Sequence, residues 1–197
     1  MIVRTIRYAA AVLAAFVLSP HASAATPDAT MLANTCAGCH GTDGVSIGPA
    51  TPTIAGLSTE YFIDMMDAYK ADEIPSTVMG RIAKGYTEEE IALLAKHFAE
   101  LPFVRLDQNF DKGAAERGAK LHRKFCEKCH EDGGRLGEDD AGILAGQWTP
   151  YLRWSMDDYI SDKREMTKKM RKKVTKLLEE HGDAGVEQLL HFYASQK

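Results

Sequence analysis

The 197-residue chain is 45 % hydrophobic and 26 % charged, with 24 lysines and arginines against 28 aspartates and glutamates and a formal charge of −4 at pH 7. That composition is ordinary for a globular protein, and a mildly acidic balance argues against a nucleic-acid binder, which needs a basic surface for phosphates. Residues 1–24 hold Arg4 and Arg7, the apolar run Ala9 to Leu18, and then Ala22-Ser23-Ala24. This is the three-part form of a secretory signal with small residues before the cut. The apolar run is short for a bilayer and Ser19-Pro20 breaks it, so the expectation is export, cleavage near Ala24 and no membrane insertion. Losing Arg4 and Arg7 takes the formal charge from −4 to −6.

Ala29 to Thr35 reads as a short helix feeding Cys36-Ala37-Gly38-Cys39-His40. Two cysteines three positions apart lie about one helical turn from each other, with a histidine next in line. In this C-x-x-C-H order, two thiols add across the vinyl groups of one haem while the imidazole turns onto its iron. A single copy also suits a metal clip or a redox dithiol. The second copy, Cys126-Glu127-Lys128-Cys129-His130, consumes the rest of the four cysteines and leaves none for disulfides. Two covalently bound haem c groups are the expectation.

Gly41 to Pro52 is turn-rich, as a loop wrapping the edge of a flat cofactor must be. From Thr59 the pattern turns helical, with Tyr61, Phe62, Met65, Met66 and Tyr69 at three- and four-residue steps. Met65 and Met66 read as core filler. Asp72 to Val78 ends that helix, with Pro75 as the stop, and Met79 falls in the loop beyond. Thr87 to Glu90 is a capping-box start, and Ile91, Leu94, Ala95 and Phe98 share one face of a helix ending at Leu101-Pro102. Phe103 to Lys112 lacks periodicity and holds the boundary between units.

Ala114 to Phe125 is helical again and delivers Cys126; Gly133, Gly134, Gly137 and Gly142 form the second wrap loop. Pro150 to Ile160 and Val186 to Ala194 are the later helices. Lys163 to Lys176 carries eight basic residues against Glu165 alone and reads as a solvated face, with a docking patch for an acidic partner as the alternative. No useful run of strand-like alternation occurs, so the predicted fold is all-α. There is no G-x-G-x-x-G after a strand, so no dinucleotide site is expected.

The second pentapeptide lies 90 residues after the first, and the same offset maps Ala55, Gly56, Thr59, Tyr61, Asp67 and Tyr69 onto Ala145, Gly146, Thr149, Tyr151, Asp157 and Tyr159. Units of this length, each with its own cofactor, read as duplicated domains: 25–104 with haem 1 and 105–197 with haem 2. The covalent attachment points are Cys36, Cys39, Cys126 and Cys129, and the proximal ligands are His40 and His130. Each iron then needs a ligand from beyond the middle helix. Met79 serves unit one; in unit two Met170 is favoured over Met166, because Leu177 follows Met170 at the spacing at which Tyr86 follows Met79. Histidine–methionine ligation closes the iron to substrates and raises its potential, so no catalysis is expected of this chain by itself.

Of the remaining mature histidines, His97, His122, His181 and His191 are expected at the surface or core edge. Ile54, Leu57, Tyr61 and Phe62 in unit one, with Ile143, Leu144, Trp148, Tyr151 and Leu152 in unit two, are candidate haem walls. Tyr61 and Tyr151 are placed to bond a propionate or each other.

Several stretches, namely Cys36 to Gly41 with Gly48-Pro49-Ala50, Ser76 to Tyr86, Leu121-His122, Cys126 to His130, Ile143 to Leu152 and Phe192 to Gln196, resemble the dihaem cytochrome subunits of flavocytochrome c sulfide dehydrogenases. The resemblance implies two tandem class I cytochrome c domains in a periplasmic heterodimer. An FAD-bearing flavoprotein oxidises sulfide there, and the cytochrome subunit passes the electrons to a soluble cytochrome c. A free-standing dihaem shuttle is the alternative.

Overall fold

The structure, a computed structural model, describes residues 27–136 and 141–197. The predicted signal segment 1–24 lies outside the described residues. Helices make up the regular structure, in the order α1 (Ala29–Asn34), α2 (Ala37–His40), a short 3-10 turn (Thr42–Gly44), α3 (Thr59–Lys70), α4 (Met79–Ala83), α5 (Glu88–Ala99), α6 (Lys112–Phe125), α7 (Glu131–Gly134), α8 (Thr149–Ile160) and α9 (Lys168–Ala194). Among the described residues there is no strand, and no helix is long and apolar enough to cross a membrane.

The helix starts follow from side chains that satisfy orphan backbone donors. Asp28 accepts from the Met31 N–H, Ser58 from Tyr61, Asp111 from Ala114 and Thr167 from Met170. At α5 the expected capping box is complete, with Thr87 and Glu90 each accepting the other's backbone N–H. Two elements differ from the sequence reading. Met79 is the first residue of α4 rather than part of an open loop. The basic run enters a helix at Lys168 that reaches Ala194 with a break at Gly182, whose φ is +57°. In unit one the same path is split into α4 and α5.

Buried apolar side chains fall into two clusters. One joins Leu32, Phe62, Met66, Ile91, Leu94 and Phe98, with Cys36 and Met79 packed against it. The other joins Leu121, Phe125, Leu152, Leu177, Leu189 and Tyr193, with Cys126 packed against it. Leu94 is fully buried, so Leu94→Ala is expected to cost about 2–5 kcal/mol by chemical denaturation.

The duplication is legible in the backbone. Ile54 and Ala55 both donate to the Gly44 carbonyl, as Leu144 and Ala145 do to that of Gly134. Gly56 and Gly146 both sit at φ +73°, and Asp72 and Asp162 at +61° and +57°. A left-handed aspartate is uncommon, so its recurrence 90 residues on marks one design used twice.

The two halves meet along a polar seam. Thr53 donates its N–H to Gln147 Oε1, and Gln147 Nε2 donates to the Thr53 carbonyl, both at 2.9 Å. Trp148 Nε1 donates to the Ser46 carbonyl at 3.0 Å, and its ring lies so close to Gly48 that an added Cβ would come within 2.4 Å. Gln147 stands in register with Leu57. Gln147→Leu would strip two buried backbone groups of their partners and is expected to cost about 1–3 kcal/mol for each, read as a lower midpoint in a denaturant titration.

Candidate functional site

The two pentapeptides adopt the same turn. The His40 N–H bonds to the Cys36 carbonyl at 2.9 Å and that of His130 to Cys126 at 3.0 Å; the Cys39 and Cys129 N–H groups bond to those same carbonyls at 3.2 Å. In each unit the two cysteine backbones are thereby held one turn apart. None of the four cysteines is in a disulfide; Cys39 is exposed and the others half-buried. Burial raises the Cys36 thiol and pushes Cys126 up to about 11. Among the described residues no three His, Cys, Asp or Glu side chains converge as ligands of a metal ion.

The histidines carry the sharper observation. His40 Nδ1 lies 2.9 Å from the Pro52 carbonyl and His130 Nδ1 lies 3.2 Å from that of Gly142, twelve residues on in both cases. A carbonyl only accepts, so Nδ1 is the protonated nitrogen and a neutral ring presents its lone pair at Nε2. This is the tautomer an iron-binding imidazole needs, with its other N–H tied to a backbone carbonyl. Burial lowers the pKa of His40, outweighing the opposite effect of the Pro52 carbonyl, and favours the neutral ring. The residues present therefore fit haem c: paired thiols one turn apart, followed by an imidazole locked in the ligating tautomer.

Of the candidate axial methionines, Met79 is half-buried and packs on the same cluster as Cys36. Met170 is half-buried in the first turn of α9, its N–H held by Thr167 Oγ1 at 3.2 Å. Met166 precedes the cap of that helix and is buried.

Other placements depart from expectation. His122 is 1 % exposed, bonded through Nδ1 to the Tyr193 hydroxyl at 3.0 Å with Nε2 beside the Glu127 carboxylate. It is an interior residue, not a core-edge one, because α6 packs that face against α9. His97 is half-buried edge-on to Phe98, His181 is exposed, and His191 Nδ1 accepts from the Asp111 N–H. Ile143 packs on the cluster of the first unit and Trp148 spans the seam, so neither is simply a wall of the second site. Met66 is core as expected, whereas Met65 is half-buried at the seam, its sulfur 2.8 Å from Arg164 Nη2.

Arg164 is the residue the sequence reading missed. Within a run taken as solvated it is 5 % exposed, among Tyr61, Tyr151 and Tyr159. Its register with Ile74, itself buried, was the available signal.

An all-helical, duplicated chain with two C-x-x-C-H turns and two Nδ1-anchored histidines defines a dihaem electron-transfer cytochrome of tandem class I domains. The chain belongs to the cytochrome c family: it is 32 % identical over 68 residues to cytochrome c-554(548) of Halomonas halodenitrificans, covering 33 % of this chain and 82 % of that protein. It is 51 % identical over 71 residues to a protein named the cytochrome subunit of sulfide dehydrogenase in Chlorobaculum tepidum, covering 36 % of this chain and 64 % of the relative's length. With cytochrome c4 of Thiocapsa roseopersicina it shares 26 % identity over 134 residues, 63 % of this chain and 68 % of that protein. The fold matches reduced cytochrome c4 from Pseudomonas stutzeri at a TM-score of 0.74 and 23 % identity, covering 87 % of this chain and all of the other. No family model matches the chain.

Proposed function

We propose that the chain is the periplasmic electron-transfer subunit of a sulfide-oxidising flavocytochrome, accepting electrons from an FAD-bearing partner and passing them to a soluble cytochrome c. The observation that carries this reading is the 51 % identity to the Chlorobaculum tepidum subunit. Its 71 residues are shorter than one 90-residue repeat, so it speaks for one unit. We further assign residues 1–24 to a cleaved export signal, and 25–104 and 105–197 to the two domains.

Cys36 with Cys39 and Cys126 with Cys129 would hold one haem c each through thioethers; His40 with Met79 and His130 with Met170 would ligate the irons, with Met166 the alternative to Met170. In favour of Met170, it shares with Met79 a place in the first turn of the helix that follows the middle helix, half-buried, while Met166 lies buried ahead of the cap. A bound haem supplies a one-electron carrier. The protein holds both imidazoles in the ligating tautomer and excludes water with Phe62, Leu94 and Phe98 on one side and Leu121, Leu152 and Leu189 on the other. With an imidazole and a methionine of the chain both holding each iron, one-electron transfer would need little rearrangement.

Native protein purified from periplasm is expected to elute with a flavoprotein, showing flavin absorbance and haem reduction on addition of sulfide. Elution as a free dihaem monomer without flavin would favour the second reading, a free-standing shuttle, to which the cytochrome c4 similarity along both units gives support.

A further inference from the structure

Arg164 follows α8, its backbone N–H donated to the Asp158 carbonyl at 3.1 Å. Its guanidinium carbon stands 4.5 Å from the centre of the Tyr159 ring, Nη2 reaches the Met65 sulfur at 2.8 Å, and the Tyr61 hydroxyl is a neighbour. Among the described residues no carboxylate lies within 4.0 Å of it. Burial raises the hydroxyl pKa values of Tyr61, Tyr69 and Tyr159, so these three side chains are neutral phenols. An arginine cannot shed its proton to escape burial, and a buried charge is strongly unfavourable without an anion. The described protein offers this cation hydroxyls, a thioether and an aromatic face.

Both proximal histidines are anchored beside the same place. The Pro52 carbonyl that fixes His40 adjoins Thr53, which is bonded to Gln147 across the seam. The Gly142 carbonyl that fixes His130 belongs to a residue whose added Cβ would fall 2.7 Å from the Tyr61 ring. A haem held at either histidine would lie beside this seam, and a haem carries two carboxylates on one edge.

We propose that Arg164 is the binding site for a haem propionate at the seam, and that its single charge, absent from the matching position Ile74, raises the reduction potential of the haem it pairs with. The proposal rests on the haem-ligand reading above. Arginine forms forked pairs with carboxylates, and Tyr61 is placed to donate to the same group. A fixed positive charge disfavours the ferric state, so removing it lowers the potential.

The test uses the holoprotein, with haem count by mass, both midpoint potentials by spectroelectrochemical titration, and resonance Raman of the propionate bending bands. Arg164→Leu is expected to keep two haems, lower one midpoint clearly more than the other and move one propionate band; Arg164→Lys should restore most of that midpoint. Unchanged bands and midpoints in Arg164→Leu, with only a loss of thermal stability, would overturn the proposal. So would a double-mutant cycle in which neutralising Glu138, Asp139 and Asp140, the acids of the short segment outside the described residues, destabilises the parent but not Arg164→Leu, since the anion would then come from the chain. Should Arg164→Leu fail to mature, the unaltered protein decides: a propionate band at the ion-paired frequency supports the site, and all propionate bands at the solvated frequency refute it. Fewer than two haems in the unaltered protein would instead defeat the reading on which the proposal stands.

Discussion

Protein in which Cys126 and Cys129 are both serine is expected to carry one covalent haem and half the haem absorbance per mole. The loss should extend beyond the cofactor. Cys126 packs on the cluster of Leu121, Phe125, Leu177 and Tyr193, and a haem site without its haem leaves those side chains facing a void. Voids lined by apolar groups cost stability in proportion to their size. The second unit should therefore unfold at lower temperature while the first keeps its haem, giving two separated transitions in a thermal scan. Covalent haem absorbance that stays at the parent level would show that Cys126 and Cys129 are not attachment points.

The second large effect separates the two methionines of unit two. Met170→Ala is expected to remove a methionine-to-iron charge-transfer band and drop one midpoint potential by roughly 0.1–0.3 V, a fraction of the ~0.8 V span axial ligands control. Met166→Ala should keep the band and lose only stability, about 2–5 kcal/mol for a buried side chain. Met166 is buried and sits ahead of the Thr167 cap, while Met170 is half-buried in the first turn with its N–H fixed by that cap. If the band survives Met170→Ala and vanishes in Met166→Ala, the assignment reverses. The pair of variants reads ligand from filler without reference to the partner protein.

What was legible beforehand was local chemistry. The haem turns, the 90-residue repeat, the Thr87 capping box and the apolar face of α5 are each written within a few residues. Features set by the meeting of the two units were not. Arg164 lies in a lysine-rich run whose neighbours Lys168, Lys169 and Lys172 are exposed, so its burial depends on Tyr61 and Met65, about a hundred residues earlier. Trp148 read as haem wall and Gln147 carried no assigned role, yet they bridge to Ser46 and Thr53. Comparing the repeats position by position finds both Arg164 and Gln147, since each puts a polar residue where the first unit buries Ile74 and Leu57. A duplicated protein breaks its own symmetry where its halves touch. His122 was misjudged for a related reason: the face of α6 that carries it is covered by α9, from the far end of the chain.

The central claim is that this polypeptide holds two haems through four thioethers. Intact mass spectrometry of the exported protein under denaturing conditions tests it most directly. The account predicts the mass of the chain from about Ala25 onward plus two haems; a mass with one haem, or none, would contradict it.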